Sequence, residues 1–391
     1  MDPMAAPCPP WLATHLQQAG GTVPFSTFMD LALNDPDHGY YGSGQVGIGP
    51  GGDFVTSPSL GPDFAGLLLP QLLTWLDALP LGSGRWSIVE IGPGEGHFAA
   101  DLIQQLSNTA SDRLDRLELV LVESSPALCE RQQRRLQGLN ALPVRWCSLD
   151  DLIHQPVQGV VIAHELLDAL PVDRVVLQKG ELQLQMVGLD PGGGLCWRTQ
   201  PLPADLAGHI RSFATGFGVP LPPPDAEDGW TTEWPSALPH WFEQMGCALE
   251  KGVLLVIDYA LEAQRYFNAR RSDGTLLAFR DQQAGFSPLE QPGAQDLTAH
   301  LCIETVDEAA LGHGWQPLER MRQGEALLAL GLAERLHGLQ SLPGGRLEEA
   351  LQRREVLLRL VDPAGLGDFR WLTYGRGVPP EAFKLATPPG N

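Results

Sequence analysis

The sequence predicts an α/β protein built on a doubly wound, largely parallel sheet, and three observations carry that expectation. Short apolar runs at 86–91, 117–122, 143–147 and 158–163 have the length of buried strands. Segments of helical period, "HFAADLIQQL" and "SPALCERQQRRL", lie between them. The first run, "SIVEIGPGEG", passes straight into a glycine-rich turn and then a helix, a unit that brings bare backbone to a ligand. Strands spaced by helices favour parallel pairing with right-handed crossovers.

Taken in order, "WLATHLQQAG" and "VPFSTFMDLALNDP" carry apolar residues at helical spacing. The stretch from Asp37 to Gly61 holds too many glycines for regular structure, and "PDFAGLLLPQLLTWLDAL" resumes a helix. The alternating strands and helices follow. "DRVVLQKGELQLQMVGLDPGGGLCWRT" then reads as an antiparallel meander with turns at Lys179-Gly180 and Pro191 to Gly194, and "GVPLPPPDAEDG" as a loop. "WPSALPHWFEQMGCAL" reads as a helix, "KGVLLVIDYA" as a core strand and 261–300 as irregular chain. "QGEALLALGLAERLHGL" and "GRLEEALQRREVLLRLV" read as helices, and "GDFRWLTYGRG" as a last strand.

The formal charge of −21, from 47 acids against 26 bases, repels nucleic acid and anionic membrane. No apolar run is long enough to cross a bilayer. The start, "MDPMAAPCPPWLATHL", is acidic and proline-rich, without the pattern of an export or transit signal, so a cytoplasmic location is expected. The six cysteines are scattered and none form a Cys-x-x-Cys pair, so neither a disulfide framework nor a metal site is expected.

The glycines Gly92, Gly94 and Gly96 do not match a dinucleotide loop, because His97 stands where its third glycine would fall, and no Lys-Ser/Thr pair follows for a nucleotide phosphate. Glu90, two residues before the turn, would repel a pyrophosphate but suits a ligand with an ammonium or sulfonium. That points to S-adenosylmethionine. Glu123, at the tip of the next strand, is placed to accept both hydroxyls of a ribose, or else caps the helix that starts after Ser124 and Ser125. Asp150 or Asp151 can take a hydrogen bond from the adenine amine, and a helix N-cap serves equally.

After the strand ending at Ala163 come His164, Glu165 and Asp168, at the carboxyl edge where a substrate would sit. Glu165 and Asp168 share a face if the turn is helical, and two carboxylates there can clamp a guanidinium; Asp168 can instead pair with Arg174. His164 either serves the site or only bonds neighbouring backbone. Asp258 and Tyr259 end another core strand. "QDLTAH", with Asp296, Thr298 and His300, is read as an irregular segment able to fold over the substrate as a lid, His300 being a group that can take a released proton. Asp53, Thr56 and Ser57 can reach the methionine end of the cofactor, or the turn that holds them merely orders itself.

The ordered motifs "DPDHGYYG", "GDFVTSPSLGPDFA", "VEIGPGEGHFAADL", "HELLDALPV", "IDYA", "DLTAH" and "QGEALLALG" resemble the MidA-type family of S-adenosylmethionine-dependent methyltransferases, which includes the mitochondrial complex I assembly factor acting on arginine. The resemblance implies a class I (Rossmann-like) methyltransferase sheet with an N-terminal helical cap, a β-rich insertion and a C-terminal helical segment. It implies that Glu90, Gly92, Gly94, Gly96 and Glu123 bind the cofactor, that Asp53 lies near it and that Glu165 and Asp168 lie on the substrate side. The implied activity is symmetric dimethylation of an arginine on the 49-kDa-type subunit of respiratory complex I, or on its NDH-1 equivalent. This sequence departs from the family pattern in having His164 for an asparagine, Ala260 for a glycine and Cys302 for an acid. Three consecutive segments are expected: 1–80 as the helical cap with its glycine-rich loop, 81–260 as the cofactor-binding core with a meander insertion at about 174–245, and 261–391 as lid, C-terminal helices and last strands. A small-molecule methyltransferase and a non-catalytic assembly chaperone on the same fold are the alternatives.

Overall fold

A computed structural model describes residues 6–49, 51–80, 84–280 and 283–385. The first five residues of the acidic N-terminal stretch, and the expected segment boundary after residue 80, lie outside the described residues. The chain divides into two compact units, each drawn from three separate stretches. One unit comprises Gly47–Leu167, His240–Tyr259 and Ala310–Asn391; the other comprises Met1–Val46, Asp168–Pro239 and Ala260–Ala309. The division therefore runs across the three consecutive segments expected from the sequence.

The first unit holds a seven-stranded sheet. Its strands are β1 (Trp86–Ile91), β2 (Leu117–Val122), β3 (Val144–Cys147), β4 (Val157–His164), β5 (Leu249–Asp258), β6 (Gln316–Arg322) and β7 (Arg370–Arg376). They lie in the order β3-β2-β1-β4-β5-β7-β6. The first five pair in parallel, whereas β7 runs antiparallel to both β5 and β6. The strand order reverses between β1 and β4, and such a switch point opens a crevice at the carboxyl ends of the strands.

The middles of β4 and β5, Val160–Ala163 and Val253–Ile257, are continuous apolar runs because both faces of a parallel sheet are covered, and β1 is buried along its whole length. Helices α1 (Asp63–Ala78), α2 (His97–Thr109) and α3 (Pro126–Leu136) belong to this unit. Leu68 and Trp75 of α1 and Leu102 and Leu106 of α2 pack into the same core as Ile88, Leu119 and Val160. Pro126 at the first turn of α3 fits the rule that a missing N–H costs nothing there. Among the described residues no helix is long and apolar enough to cross a membrane.

Two readings of this unit need correction. "QGEALLALGLAERLHGL" is not one helix but two, Gln323–Ala329 and Leu332–Leu339, interrupted where Gly331 takes φ +93°. The strand β6 was missed: it lies at the sheet edge, partly exposed along its length, and its mixed polar sequence lacks the apolar run that marks the inner strands.

The second unit contains the expected meander, Asp173–Gln178, Glu181–Leu189 and Gly194–Pro201, within a six-stranded antiparallel sheet. Thr231–Trp234 extends one side, while Ala6–Pro7 and Thr22–Pro24 add to the strands of the meander. Leu206, Ile210 and Phe213 of the helix Ala204–Phe217, which the sequence reading passed over, pack with Val175, Leu184 and Trp234. The stretch 261–300 is not irregular throughout: Leu277–Arg280, Gln283–Ala284 and Asp296–Thr298 form a small antiparallel sheet.

Candidate functional site

The glycine turn leaves β1 at the switch point. Gly92, Gly94 and Gly96 take φ +66°, +52° and +75°, a left-handed path that side chains resist. Space demands it too, since a Cβ on Gly92 would stand 2.8 Å from Leu166 Cδ1 and one on Gly94 2.7 Å from Ile48 Cδ1. Gly96 caps α2, and the Gly92 N–H donates to Val122 O at 3.0 Å, tying the turn to β2.

Glu90 sits at the head of this turn, 6% exposed, and burial pushes its carboxyl up to about 8. Its Oε2 has no hydrogen-bond partner among the described residues. A buried carboxyl with a free oxygen is costly, and a cationic ligand would relieve that cost.

Glu123, just past β2, accepts the Ser125 N–H at 2.9 Å and Gln132 Nε2–H at 3.1 Å. Burial raises its carboxyl against the opposing pull of those bonds. Glu123 thus holds the Ser125 N–H just before α3 and stands at the tip of β2, linked through Gln132 to the glycine turn. Gln132, which the sequence reading did not single out, is fully buried and also reaches Gly94 O at 2.8 Å.

Asp151 is an N-cap partner. Its carboxylate accepts the Ser148 N–H at 3.1 Å and the Ser148 hydroxyl at 2.7 Å, closing a capping box on the helix Leu149–His154. Asp150 lies in the first turn of the same helix, and its carbonyl is 2.6 Å from His154 Nδ1. Asp53 lies in a turn that folds on itself: its N–H donates to Gly47 O at 2.7 Å, and its Oδ2 accepts the Gly47 N–H at 3.4 Å. Through Ile48, that turn meets the glycine turn at Gly94. The Ser57 hydroxyl is buried and accepts from Gln323 Nε2 at 3.1 Å.

At the tip of β4, His164 is buried beside Phe64, ring centres 5.3 Å apart. Burial lowers its imidazole to about 3, so it is neutral at working pH. Its Nδ1 lies 3.3 Å from Glu165 Oε1, a contact that is not an ion pair because the ring is neutral. Nε2 has no hydrogen-bond partner among the described residues.

Glu165 has φ +49°, and its N–H donates to Ile257 O at 2.8 Å. A left-handed residue cannot continue a right-handed turn, so the helical spacing expected to align Glu165 with Asp168 does not exist. Left-handed backbone at a non-glycine residue is a strain that concentrates at functional sites. Asp258, completely buried at the end of β5, accepts N–H groups from Leu167 at 2.9 Å and Tyr259 at 2.8 Å. It is a strand-end cap.

In the other unit, Asp168 O accepts the Ala299 N–H at 2.8 Å, and the His300 N–H donates to Thr275 Oγ1 at 3.1 Å. Asp296 is buried and accepts the Tyr41 hydroxyl at 2.8 Å; burial first, then the charges of Asp296 and Asp168, raise that phenol. "DLTAH" is therefore not a loose lid segment, because Asp296–Thr298 is a strand paired with Leu277–Phe279. Arg174 is engaged elsewhere than the sequence alternative put it: its guanidinium meets Glu233, Gln185 and Asp273. Asp35, Asp37 and His38 cluster at the surface, where Asp35 Oδ1 accepts the backbone N–H groups of Asp37 at 3.1 Å and His38 at 2.9 Å. All six cysteines are free.

Comparison with known proteins places the chain in a family. A family model described as "Putative S-adenosyl-L-methionine-dependent methyltransferase" matches residues 67–321. The chain belongs to that family. It is 27% identical to "Protein arginine methyltransferase NDUFAF7 homolog, mitochondrial" of Drosophila melanogaster, over 92% of this chain and 82% of that protein. It is 31% identical to the NDUFAF7 methyltransferase of Xenopus tropicalis over 44% of each chain. The crystal structure of a COG1565 superfamily member from Burkholderia thailandensis bound to S-adenosyl-homocysteine superposes with a TM-score of 0.81 at 29% identity, covering 94% of this chain and 92% of that one.

The protein is thus a MidA-type, S-adenosylmethionine-dependent methyltransferase with the α/β methyltransferase fold. The residues present fit that donor: the turn offers bare backbone without a lysine for phosphate, and the orphaned Glu90 oxygen suits a cation.

Proposed function

We propose that this methyltransferase modifies an arginine side chain on a protein, a subunit of respiratory complex I or of the equivalent NDH-1, and supports assembly of that complex in the cytoplasm. The observation that carries the cofactor half of the reading is the buried Glu90 carboxyl with its free oxygen at the head of the glycine turn. The arginine half is supported by the names of the relatives, which are protein arginine methyltransferases.

In this reading Glu90 takes the ammonium of the cofactor, the backbone of Gly92, Gly94 and Gly96 lies along it, and Glu123 accepts the ribose hydroxyls. Asp53, Asp150 and Asp151 are secondary, since the carboxylates of Asp53 and Asp151 already serve their own turns. The bound donor supplies an electrophilic methyl on a sulfonium. Glu165 accepts N–H groups of the guanidinium and holds charge on the nitrogens that do not react, and Asp168 is a further carboxylate expected on the substrate side. His164 is too weak a base to receive the proton, so it acts as a neutral acceptor that orients its neighbours. His300 is the candidate to take the proton.

The test incubates the protein with isotopically labelled donor and a purified NDH-1 subunit, followed by mass spectrometry for methylarginine. Label on arginine that disappears in Glu165→Gln, with normal S-adenosylhomocysteine binding, supports the reading. Transfer only to free metabolites points to a small-molecule enzyme, and donor binding without any transfer points to an assembly chaperone.

A further inference from the structure

Gln132 lies on α3 within "ERQQRRL", where a glutamine among charges would ordinarily face water, yet its side chain is fully buried. Its amide makes three contacts at once. Nε2 donates to Gly94 O at 2.8 Å and to Glu123 Oε2 at 3.1 Å, while Oε1 accepts the Trp146 indole N–H at 3.0 Å. The orientation of the amide is fixed by chemistry. An indole nitrogen can only donate, and a carbonyl and a carboxylate can only accept, so a flipped amide would lose all three bonds.

These three partners come from three neighbouring strands: the turn after β1, the tip of β2 and the body of β3. The stem lies close over Gly96, where an added Cβ would stand 3.3 Å from Gln132 Cγ. Carboxylates at a strand tip are mobile unless something fixes their plane. Here Ser125 holds Oε1 of Glu123 and Gln132 holds Oε2, and a backbone hydrogen bond from Ser124 adds to them.

We propose that Gln132 is a positioning residue for the cofactor: it locks the carboxylate of Glu123 to the glycine turn so that the ribose-accepting oxygens and the turn's backbone keep one spacing before the donor arrives. The inference rests on the reading of Glu123 as the ribose acceptor. Preorganisation of this kind acts on binding, since it removes an ordering cost the donor would otherwise bear. Loss of Gln132 therefore raises the KM for the donor and the Kd for S-adenosylhomocysteine, with kcat changed much less.

Three variants of the full chain test this by calorimetric titration with S-adenosylhomocysteine across a pH series, with Tm recorded for each. Gln132→Met keeps the volume but strands three polar partners, and the Kd is expected to rise roughly tenfold to a hundredfold, the scale of unpaired buried groups. Gln132→Glu sets a second carboxylate against Glu123; the ratio of its Kd to that of the wild type at the same pH is expected to be largest at high pH and to shrink on acidification, as the added carboxyl regains a proton it can donate. A merely structural role would lower the Tm without moving the Kd, or weaken binding equally at every pH, and either result overturns the proposal. Glu123→Gln separates the two layers. If it binds S-adenosylhomocysteine as the wild type does, the ribose reading itself fails; if it binds weakly while both Gln132 variants bind normally, only the positioning role fails.

Discussion

The Leu167 N–H donates to Asp258 Oδ2 at 2.9 Å, and this bond between the end of the "HELL" turn and the tip of β5 fixes where Glu165 stands. The other oxygen of Asp258 takes the Tyr259 N–H at 2.8 Å. Both bonds go to a carboxyl with no solvent to replace it. Asp258→Ala is expected to cost about 2–3 kcal/mol of stability. It should also lower kcat at least roughly tenfold through misplacement of the turn. S-adenosylhomocysteine affinity should stay within about threefold, because the glycine turn keeps its bond to β2. Parallel turnover and titration measurements check this, and a loss confined to cofactor affinity would contradict it.

Glu90 makes the stability and the cofactor affinity depend on pH in opposite senses. Its carboxyl is raised to about 8 in the folded chain, so the folded state holds the proton more tightly than the unfolded state does. The penalty is absent below the unfolded value of about 4.5, grows as pH rises and is complete above about 8. At pH 7 it amounts to about 3 kcal/mol. A cationic ligand favours the ionised form, so affinity for S-adenosylhomocysteine should strengthen with rising pH up to about 8, with proton release on binding. Glu90→Gln should bind poorly at every pH and lose the decline in Tm between about pH 5 and 8. Calorimetry in buffers of different ionisation enthalpy reads the released proton directly, and its absence would remove Glu90 from the cofactor site.

What the sequence revealed depended on how local each feature is. The strand and turn "SIVEIGPGEG" were legible because burial on both faces and three left-handed glycines leave marks in neighbouring residues. The strand Gln316–Arg322 was not, because an edge strand facing solvent carries no apolar run. Gln132 was invisible for the opposite reason: its partners Gly94, Glu123 and Trp146 come together only when three strands align. The spacing of Glu165 and Asp168 misled, since the helical pattern assumed right-handed backbone and Glu165 adopts φ +49°. The two units could not be read from the order of segments, because meander strands pair with chain ends such as Ala6–Pro7, far away in sequence.

Asp63, at the start of α1, receives Arg335 at 2.9 Å and Arg353 at 2.6 Å, and its side chain is 2% exposed. Burial alone would raise this carboxyl, but the hydrogen bonds from Arg353 and Arg335 outweigh it and hold it below the usual range. Its contribution is therefore present above the unfolded carboxylate value and is lost as pH falls through the lower folded one. Gly66 leaves the room, since a Cβ there would lie 2.7 Å from the Arg335 guanidinium. Asp63→Asn should cost about 3 kcal/mol, a breaking cost tempered by the partial exposure of both arginines. The Tm should fall by roughly 5 °C or more at neutral pH. The gap to the wild type should close in acid, which thermal melts across pH will show.

His164 stands where the sequence resemblance implies an asparagine, and its environment says which property matters there. With the imidazole held near 3 by burial and packed against Phe64, it does not ionise in the working range. What it presents is a neutral ring, with Nδ1 3.3 Å from Glu165 Oε1 and an Nε2 that has no partner among the described residues, so that one nitrogen donates and the other accepts; an asparagine amide offers the same pair of functions. His164→Asn is thus expected to keep turnover within about threefold and to leave the pH–rate profile unchanged in shape between about pH 5 and 9. His164→Leu, which offers neither function, should lower kcat more than it raises the KM for the donor, because the turn backbone that meets the donor is untouched. An acidic limb in the wild-type profile that vanishes in His164→Asn would mean that the imidazole takes up a proton during the reaction, and the neutral role would then be wrong.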